Sequence, residues 1–509
     1  MWLVLVATSG NQAFVFAGNR LREAVGASFL IAEATTSAVR RHLGDGRVVS
    51  VSSGSALVVV GSREAAWSLV RAVSGFAVLE APGLSVTGVW MPIAGAEPTG
   101  PEIAVVHRLW RRRVDWAAGV GGRWPRLPVV AACASADLPA SGWFSDGVRV
   151  GGVFPEGEAP VALSASVVAR RRARWAAQAR MAELLDSTVA GAGLRLVDTG
   201  DLLDGVEWVG VVHADGNRLG RVFQSAPEVL AGLEGFAGDR SLGALSAAVR
   251  RCAEEAFGEA VAVVAGLVGR TRELPVVPLV VGGDDLTVLV DGRYAAAFAQ
   301  RFVAGFGAWA ARDPLVSAVT AGVVGGVTAS AGVAVVKPHF PFSTAYGLAE
   351  ELCRSAKRVV AAHPGCHGLD VHVLLDTSVA DLEAIREGYR VWDGQAWSSA
   401  TRRPFLLPAS GDVEVPVERD WRWLTGHAGL VRDAARADGG RVVTRTQLHA
   451  LRGELRTDPV RAARRVGQWR RSARSPQDRA LAAALSGPGT PPVLDLLELA
   501  EFAVTEVPA

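Results

Sequence analysis

The sequence predicts an α+β fold with two ferredoxin-like βαββαβ domains, a helical connecting region between them and a mostly helical C-terminal domain. Its 509 residues suffice for roughly two to four domains. Apolar strands alternate with segments of helical apolar spacing in the same order over residues 1–96 and again over 201–380. The connecting residues 97–200 and the last residues 381–509 lack that alternation, and we expect them to be mostly helical.

The first predicted domain has no acidic residue at its hairpin tip. Its elements are expected in the order strand 2–9, helix 19–43, hairpin 47–60, helix 63–76 and strand 84–92. The tip is Ser-Ser-Gly-Ser at 52–55, which lacks the carboxylates that hold a divalent metal. We therefore interpret this domain as non-catalytic, packing against the second domain or completing its pocket.

The second predicted domain follows the same plan. Ser241 is a suitable N-cap for its first helix, because a serine hydroxyl accepts a hydrogen bond from the first helical turn. The elements are expected in the order strand 206–215, helix 241–261, hairpin 279–290, helix 294–312, strand 330–336, helix 342–362 and strand 369–375.

The second hairpin carries Gly282-Gly283-Asp284-Asp285 between two apolar, β-branched runs. Two glycines permit the tight backbone of a hairpin tip. Carboxylates at the edge of a core are unfavourable unless a positive charge neutralises them. Taken alone, this turn is equally consistent with a solvated Asp-rich tip and with a metal site.

The topology brings a third carboxylate to this turn. With a right-handed crossover, the hairpin lies at the edge where the strand ending in Asp215 also ends. Three carboxylates at one edge repel each other unless a metal is present. We expect two Mg²⁺ or Mn²⁺ ions, with Asp215 and Asp284 as shared ligands. Asp285 is expected as a further ligand or orienting group, and the carbonyl of Gly216 as another ligand.

Two glycines and a lysine are candidates for binding a triphosphate at this metal site. Gly282 and Gly283 let phosphates approach without a Cβ in the way. Among 53 basic residues only Lys337 and Lys357 are lysines, and both follow the acidic turn within a hundred residues. Lys357 is the better candidate for a triphosphate oxygen; ordinary surface lysines are the alternative.

Net charge and cysteine spacing exclude several classes. The formal charge of +2 gives no global field for nucleic acid, although arginine-rich segments occur at 107–113, 169–175 and 452–474. These either contact nucleic acid or a partner, or are solvated helix faces. Four separated cysteines form no CxxC pair, which argues against structural zinc or a disulfide framework and is typical of a reducing cytoplasm. No apolar run reaches the ~20 residues of a membrane helix.

Several motifs together resemble the large polymerase-cyclase subunit of type III CRISPR effector complexes, the Csm/Cmr large-subunit family, whose domains of this kind are called palm domains. The second domain carries the specific part of the resemblance, and the opening of the first domain extends it. The motifs are Ala-Asp-Gly-Asn-Arg-Leu-Gly at 214–220, the Gly-Gly-Asp-Asp turn, Ser-Ala-Gly-Val at 330–333, Ala-Glu-Glu-Leu at 349–352 with Ala-Lys at 356–357, and the segments 9–16 and 19–22.

The resemblance implies that the chain converts ATP into 3′–5′-linked cyclic oligoadenylates that activate ancillary nucleases in antiviral defence. It implies ATP as substrate, other CRISPR effector subunits and guide or target RNA as partners, and no membrane. The nucleotide-binding residues it implies are Gly216, Asn217, Gly282, Gly283, Ser330 and Lys357.

Three departures from the family pattern bear on activity. Asn217 stands where the family usually has aspartate, so one metal is expected to be held more weakly. None of the nine histidines is followed by aspartate, so we expect no HD nuclease and no DNA cleavage by this chain. Only Cys133 lies near the place of the family's zinc-binding cysteines, between the palm domains.

Two alternative functions stay open. A palm scaffold of a CRISPR ribonucleoprotein that has lost catalysis is favoured by Asn217. A diguanylate-cyclase-like enzyme using GTP is a weaker alternative, because the turn is Asp-Asp-Leu rather than the Glu-Glu-Phe type and no sensor domain is evident.

Overall fold

The computed structural model describes most of the chain, from residue 1 to residue 503. The described residues are 1–18, 20–52, 54–118, 129–145, 148–149, 160–188, 194–197, 199–233, 236, 239–269, 273–375, 381–392, 396–436, 443–486 and 493–503. Asn19 of the first predicted helix and Ser53 of the first hairpin tip lie outside them. Within these ranges, none of the helices is long and apolar enough to span a bilayer.

The first domain is a four-stranded antiparallel sheet in the order β2-β3-β1-β4, which is the predicted ferredoxin-like order. Its elements are β1 (Trp2–Ser9), α1 (Asn11–Val15), α2 (Leu21–Thr35), α3 (Ser37–His42), β2 (Arg47–Ser52), β3 (Ser55–Val60), α4 (Arg63–Leu79) and β4 (Ser85–Pro92). The predicted single helix over 19–43 is wrong. Thr36 breaks it with a non-helical ψ of −82°, and its hydroxyl donates to the carbonyl of Ala32 at 2.7 Å.

The connecting region contains two long helices and a small sheet that the sequence did not predict. Its elements are α5 (Gly100–Ala118), β5 (Gly142–Ser145), β6 (Val148–Arg149), β7 (Val161–Leu163), α6 (Ala165–Thr188), β8 (Arg195–Leu196) and α7 (Thr199–Gly205). Three of the four arginines in the segment 169–175 are buried, so the nucleic-acid and solvated-face interpretations are both wrong for those three. Arg170 is fully buried, and Arg171 forms a buried ion pair with Glu23 of α2 at 2.8 Å.

The second domain repeats the strand order of the first as β11-β12-β9-β13 and extends it with β14 and with β17 (Phe405–Pro408) of the C-terminal region. Ser241 caps its long helix as predicted, accepting from the backbone N–H of Ala244. The elements are β9 (Val209–Gly216), α8 (Leu219–Gly232), α9 (Leu242–Val268), β10 (Glu273–Leu274), β11 (Val276–Gly282), β12 (Asp285–Asp291), α10 (Gly292–Arg312), α11 (Pro314–Val324), β13 (Ala329–Val336), α12 (Phe342–Val360) and β14 (Cys366–Val373).

The C-terminal region is mostly helical, as predicted, and one of its strands completes the second sheet. Its elements are α13 (Leu382–Glu387), β15 (Arg390–Trp392), β16 (Trp397–Ser399), β17 (Phe405–Pro408), a 3₁₀ turn (Val417–Arg419), α14 (Trp421–Arg436), α15 (Arg445–Thr457), α16 (Pro459–Ser472), α17 (Pro476–Ala484) and α18 (Val493–Leu499). β17 pairs antiparallel with β14. Before this strand, the fully buried Arg403 contacts Asp495 and Glu498 of α18, each at 2.9 Å.

The two palm-like domains share one apolar core. Leu3 and Leu5 of the first sheet belong to the same buried cluster as Val212 of the second. The long helix α9 bridges them, because the hydroxyl of Ser246 donates to the carbonyl of Val51 in β2 at 3.4 Å. The first domain therefore packs directly against the second, which fixes the position of α1 relative to α12.

Helix α12 lies directly on β13 because Gly332 has no side chain. A Cβ at Gly332 would clash with the Ala349 carbonyl and the Cys353 backbone nitrogen, so Gly332→Ala should lower the free energy of unfolding by about 1–3 kcal/mol. Gly347→Ala, on α12 itself, is the matched control, since a Cβ there meets nothing within 4 Å. Urea unfolding measures both, and equal stability of the two variants would contradict this packing.

Candidate functional site

The register of two neighbouring strands brings the predicted acidic residues together. Leu286 of β12 pairs with Ala214 of β9, so Asp285 and Asp215 lie side by side at one end of the sheet. Asp284 occupies the tight turn after Gly283, whose φ of 66° is a left-handed conformation that favours glycine. The structure therefore unites Asp215, Asp284 and Asp285 as the topology predicted.

The carboxyl groups of this cluster resist ionisation in one another's presence. Burial, followed by the charge of Asp215 and a hydrogen bond to it, raises the pKa of Asp284 from 3.8 to about 7. Burial and the same Asp215 charge raise the pKa of Asp285 to about 7. One oxygen of Asp285, Oδ1, is buried without a hydrogen-bond partner. The cluster therefore requires either a shared proton or an added positive charge.

Lys357 supplies a positive charge to the cluster. From α12 its ammonium contacts the Asp215 carboxylate and donates to the Gly216 carbonyl at 3.3 Å. Lys337 does not belong to this site. It follows the opposite end of β13, where it pairs with Glu207 at 3.1 Å and lies over the Trp208 ring.

Asn217 and Ser330 face each other behind the carboxylates. The amide of Asn217 donates to the Thr328 hydroxyl at 2.9 Å, and its oxygen accepts from the Ser330 hydroxyl at 2.9 Å. Ser330 is fully buried and Asn217 nearly so. The Ser330 hydroxyl and the Asn217 amide are therefore hydrogen-bonded within the protein, and they hold the end of β9 against β13. Their predicted nucleotide-binding roles stay predictions.

A polar layer that the sequence interpretation missed supports the acidic cluster. His213 of β9 lies 3.2 Å from the Thr287 hydroxyl and 3.6 Å from Asp285 Oδ1, and burial lowers the pKa of its imidazole. Tyr346 of α12 hydrogen-bonds to Thr287 and to Gln12. The signal in the sequence was the two-residue spacing of 213 with 215 and of 285 with 287, which places each pair on one face of its strand.

The first domain contributes to this layer through α1. Gln12 donates to Glu350 of α12 at 2.9 Å, and the Phe16 ring packs 4.6 Å from that of Tyr346. Glu350 is also paired with Arg354 at 3.1 Å. The first domain thus holds the helix that carries Lys357.

A cleft between the domains ends at the glycine turn. Its walls are α2 and α6 on one side and β11 on the other, and Gly282 and Gly283 lie at its end. Arg180 and Arg250 line the same cleft. Two predicted nucleotide-binding glycines therefore lie between the carboxylates and a cleft that contains guanidinium groups.

The ligand set at the acidic cluster suits a cation. In the described part of the chain, no three His, Cys, Asp or Glu residues are arranged to hold a metal ion. However, the Asp215 carboxylate and the Gly216 carbonyl already bind the cationic ammonium of Lys357. The buried, unpartnered oxygen of Asp285 and the hydrogen-bonded Asp284 add two more hard oxygen donors. These oxygen atoms are of the donor type that a divalent ion takes.

Residues 208–361, which run from β9 to the end of α12, match the family model described as Cas10/Cmr2, second palm domain. This segment is similar to the second palm domain of Cas10/Cmr2. It contains all three acidic residues of the cluster and Lys357. The resemblance predicted from the motifs is confirmed for this domain.

Solved structures of similar fold align over nearly the whole chain. A Csm1–Csm4 cassette in complex with cA4 aligns with TM-score 0.51 and 16% identity, over 99% of this chain and 70% of that one. A Csm1–Csm4 cassette in complex with cA3 aligns with TM-score 0.52 and 15% identity, over 99% and 69%. Csm1 of T. onnurineus aligns with TM-score 0.50 and 15% identity, over 99% and 69%. No curated protein sequence matches the chain. At these identities the likeness shows a common fold.

Divalent ions should stabilise the protein more at high pH than at low pH. Because the folded-state pKa values of Asp284 and Asp285 lie above their ordinary 3.8, ion-free protein loses stability as pH rises from about 4 to about 7. Mg²⁺ binds the ionised carboxylates, so the increase in the protein's Tm that Mg²⁺ causes should be larger at about pH 8 than at about pH 5.5. The double variant Asp284→Asn/Asp285→Asn should lose this effect. An equal Mg²⁺ shift in the variant would contradict the assignment.

Asn217→Asp should destabilise the protein. A carboxylate cannot donate to the Thr328 hydroxyl, and the loss of this hydrogen bond in a partly buried pair costs about 0.5–1.5 kcal/mol in urea unfolding. Thr328→Val, which removes the same bond from its other side, should cost a similar amount. If Asn217→Asp instead raised the Mg²⁺-dependent Tm shift, Asn217 would be a weakened metal ligand rather than a structural amide.

Proposed function

We propose that the protein is a metal-dependent nucleotidyltransferase that makes cyclic oligoadenylates from ATP in a CRISPR-type antiviral defence system. The observation that carries the proposal is the convergence of Asp215, Asp284 and Asp285 with Lys357 at one sheet edge. This cluster lies within the Cas10/Cmr2 palm segment. Solved relatives of the same fold are complexes with cA4 and cA3.

The acidic cluster is proposed to hold two Mg²⁺ or Mn²⁺ ions. Asp215 and Asp284 would be the shared ligands, with Asp285 and the Gly216 carbonyl completing the set. When bound, such ions lower the pKa of an attacking 3′-hydroxyl and brace a triphosphate. The raised pKa values of Asp284 and Asp285 support this role, because carboxylates that repel each other gain most from a cation.

The protein's own side chains position the substrate. Lys357 holds Asp215 in the absence of ions, and its flexible ammonium is suited to a triphosphate oxygen once the ions replace it there. Gly282 and Gly283 let phosphates approach from the cleft, where Arg180 and Arg250 add positive charge. Asn217 and Ser330 lie behind the carboxylates, and their hydrogen bonds fix the end of β9.

Other effector subunits and guide or target RNA are the proposed partners. Solved relatives are described as Csm1–Csm4 cassettes, in which a second subunit accompanies the chain of shared fold. The cysteine pattern supports a cytoplasmic location, because four buried, unpaired thiols are stable in a reducing compartment.

A catalytically inactive scaffold is the second candidate. Lys357 neutralises Asp215 without any ion, and Asn217 is committed to structural hydrogen bonds. Because Lys357 neutralises the acidic cluster without an ion, the cluster would remain stable in a protein that had lost catalysis. GTP as substrate is the third candidate and is tested in the same assay.

Incubation of the purified protein with ATP and Mg²⁺ or Mn²⁺, with and without guide and target RNA, should yield cyclic oligoadenylates detected by mass spectrometry. Asp284→Ala/Asp285→Ala should abolish the product because the proposed metal ligands are gone. Lys357→Met should lower the rate by about 100-fold, since it removes one charge that stabilises the transferring phosphate.

Lys337→Met is the matched control, because the only other lysine lies at the opposite end of β13 and should leave the rate unchanged. Product from GTP alone would exclude ATP as substrate. The lack of product under every condition would favour the scaffold.

A further inference from the structure

A groove on the first domain runs along the edge strand of its sheet. Its floor is the edge strand β4, and its walls are α4 and α5. We call it the β4 groove. Its tryptophans and arginines are Trp67 and Arg71 of α4, Trp90 of β4, and Arg112, Arg113 and Trp116 of α5.

Two indole rings in the β4 groove are exposed to solvent. Trp67 is 52% exposed and Trp116 is 68% exposed, which is unusual for the largest aromatic side chain. A guanidinium lies over each ring: Arg71 is 5.2 Å from the Trp67 ring centre, and Arg113 is 5.0 Å from that of Trp116. The groove thus presents flat aromatic surfaces with positive charge on both walls.

The positive charge of the β4 groove is uncompensated. Among the described residues, Arg71, Arg112 and Arg113 have no acidic partner within ion-pair distance. Guanidinium groups without an acidic partner, next to exposed indoles, match a ligand that combines anionic groups with flat apolar rings.

The exposed edge of β4 is not free to pair with a strand from another protein. Trp110 of α5 donates its indole N–H to the Thr87 carbonyl at 3.1 Å, which occupies the middle of the edge. A partner strand would need that carbonyl for its own ladder. Recognition in this groove must therefore use its side chains.

We propose that the β4 groove binds a single-stranded RNA segment. Unpaired bases stack on the Trp67 and Trp116 rings, and Arg71, Arg112 and Arg113 contact phosphates. Proteins meet RNA mainly as unpaired loops and ends, whereas DNA is read mainly through the grooves of its duplex. The ligand chemistry favours RNA over an acidic protein surface, since every nucleotide offers a flat ring together with a phosphate.

This proposal does not depend on the proposed cyclase activity. The β4 groove lies on the first domain, and its side chains make no contact with Asp215, Asp284 or Lys357. RNA binding can therefore persist in Asp284→Ala/Asp285→Ala. The two proposals fail independently.

Fluorescence anisotropy with a labelled, mixed-sequence RNA of about 12 nucleotides tests the β4 groove. Trp67→Ala/Trp116→Ala should weaken binding by roughly tenfold or more, since each loses a stacking platform. Arg112→Gln/Arg113→Gln should reduce the slope of log affinity against log salt by about 1.4, or about 0.7 for each lost phosphate contact. Duplex RNA of the same sequence should bind less tightly and be insensitive to the tryptophan changes.

Arg390→Gln/Trp397→Ala is the matched control. Trp397 is 60% exposed with Arg390 over its ring at 5.5 Å, but that guanidinium is already paired with Glu387 at 2.9 Å. This variant should bind RNA as the unchanged protein does. Because all the substituted side chains are exposed, Tm should stay within a few degrees.

Two results would overturn the proposal. One is unchanged RNA affinity in Trp67→Ala/Trp116→Ala with an unchanged Tm, which would leave a protein partner as the occupant. The other is an equal loss in Arg390→Gln/Trp397→Ala, which would show non-specific attraction to exposed Arg–Trp pairs.

Discussion

Three carboxylates at the adjoining ends of β9 and β12 repel one another, and the neighbouring elements are arranged to contain that repulsion. Helix α12 brings Lys357 to Asp215, and Gly332 lets this helix lie close enough on the sheet to do so. The first domain holds the other part of α12 through Gln12. The contact between the two domains is therefore part of the electrostatic balance of the site, although the first domain contributes no carboxylate to it.

The strand order of both domains was predictable because it depends on local hydrophobic patterning and on the handedness of crossovers. The break at Thr36 was not predictable in this way, because the run Thr35-Thr36-Ser37 lies within a longer apolar pattern that favours a continuous helix. The arginine content of the segment 169–175 also led to a wrong prediction, because it is typical of a solvated or nucleic-acid-binding helix face. Its burial depends on Glu23, about 150 residues earlier, which no local pattern connects with Arg171.

The acidic cluster followed from topology, which placed Asp215 beside the Gly-Gly-Asp-Asp turn. The role of Asn217 did not, because its two hydrogen-bond partners lie more than a hundred residues away and become neighbours only when β13 pairs with β9. Residue type alone made Asn217 a weakened metal ligand. Its surroundings make it an amide that uses both its donor and its acceptor, which aspartate cannot do. Residue type likewise could not separate Lys337 from Lys357, whereas their positions at opposite ends of the sheet do.

The contacts of Arg403 have a consequence for dividing the chain into pieces. This guanidinium is fully buried, and its carboxylate partners stand on the last helix, α18. Ending the chain before α18 would leave the buried charge of Arg403 without its partners. The free energy of unfolding would fall by on the order of 3–5 kcal/mol. Because the adjoining β17 is also the outer strand of the second sheet, the damage would reach that sheet. A fragment cut at the apparent end of the second domain is thus a poor substitute for the whole protein in biochemical work.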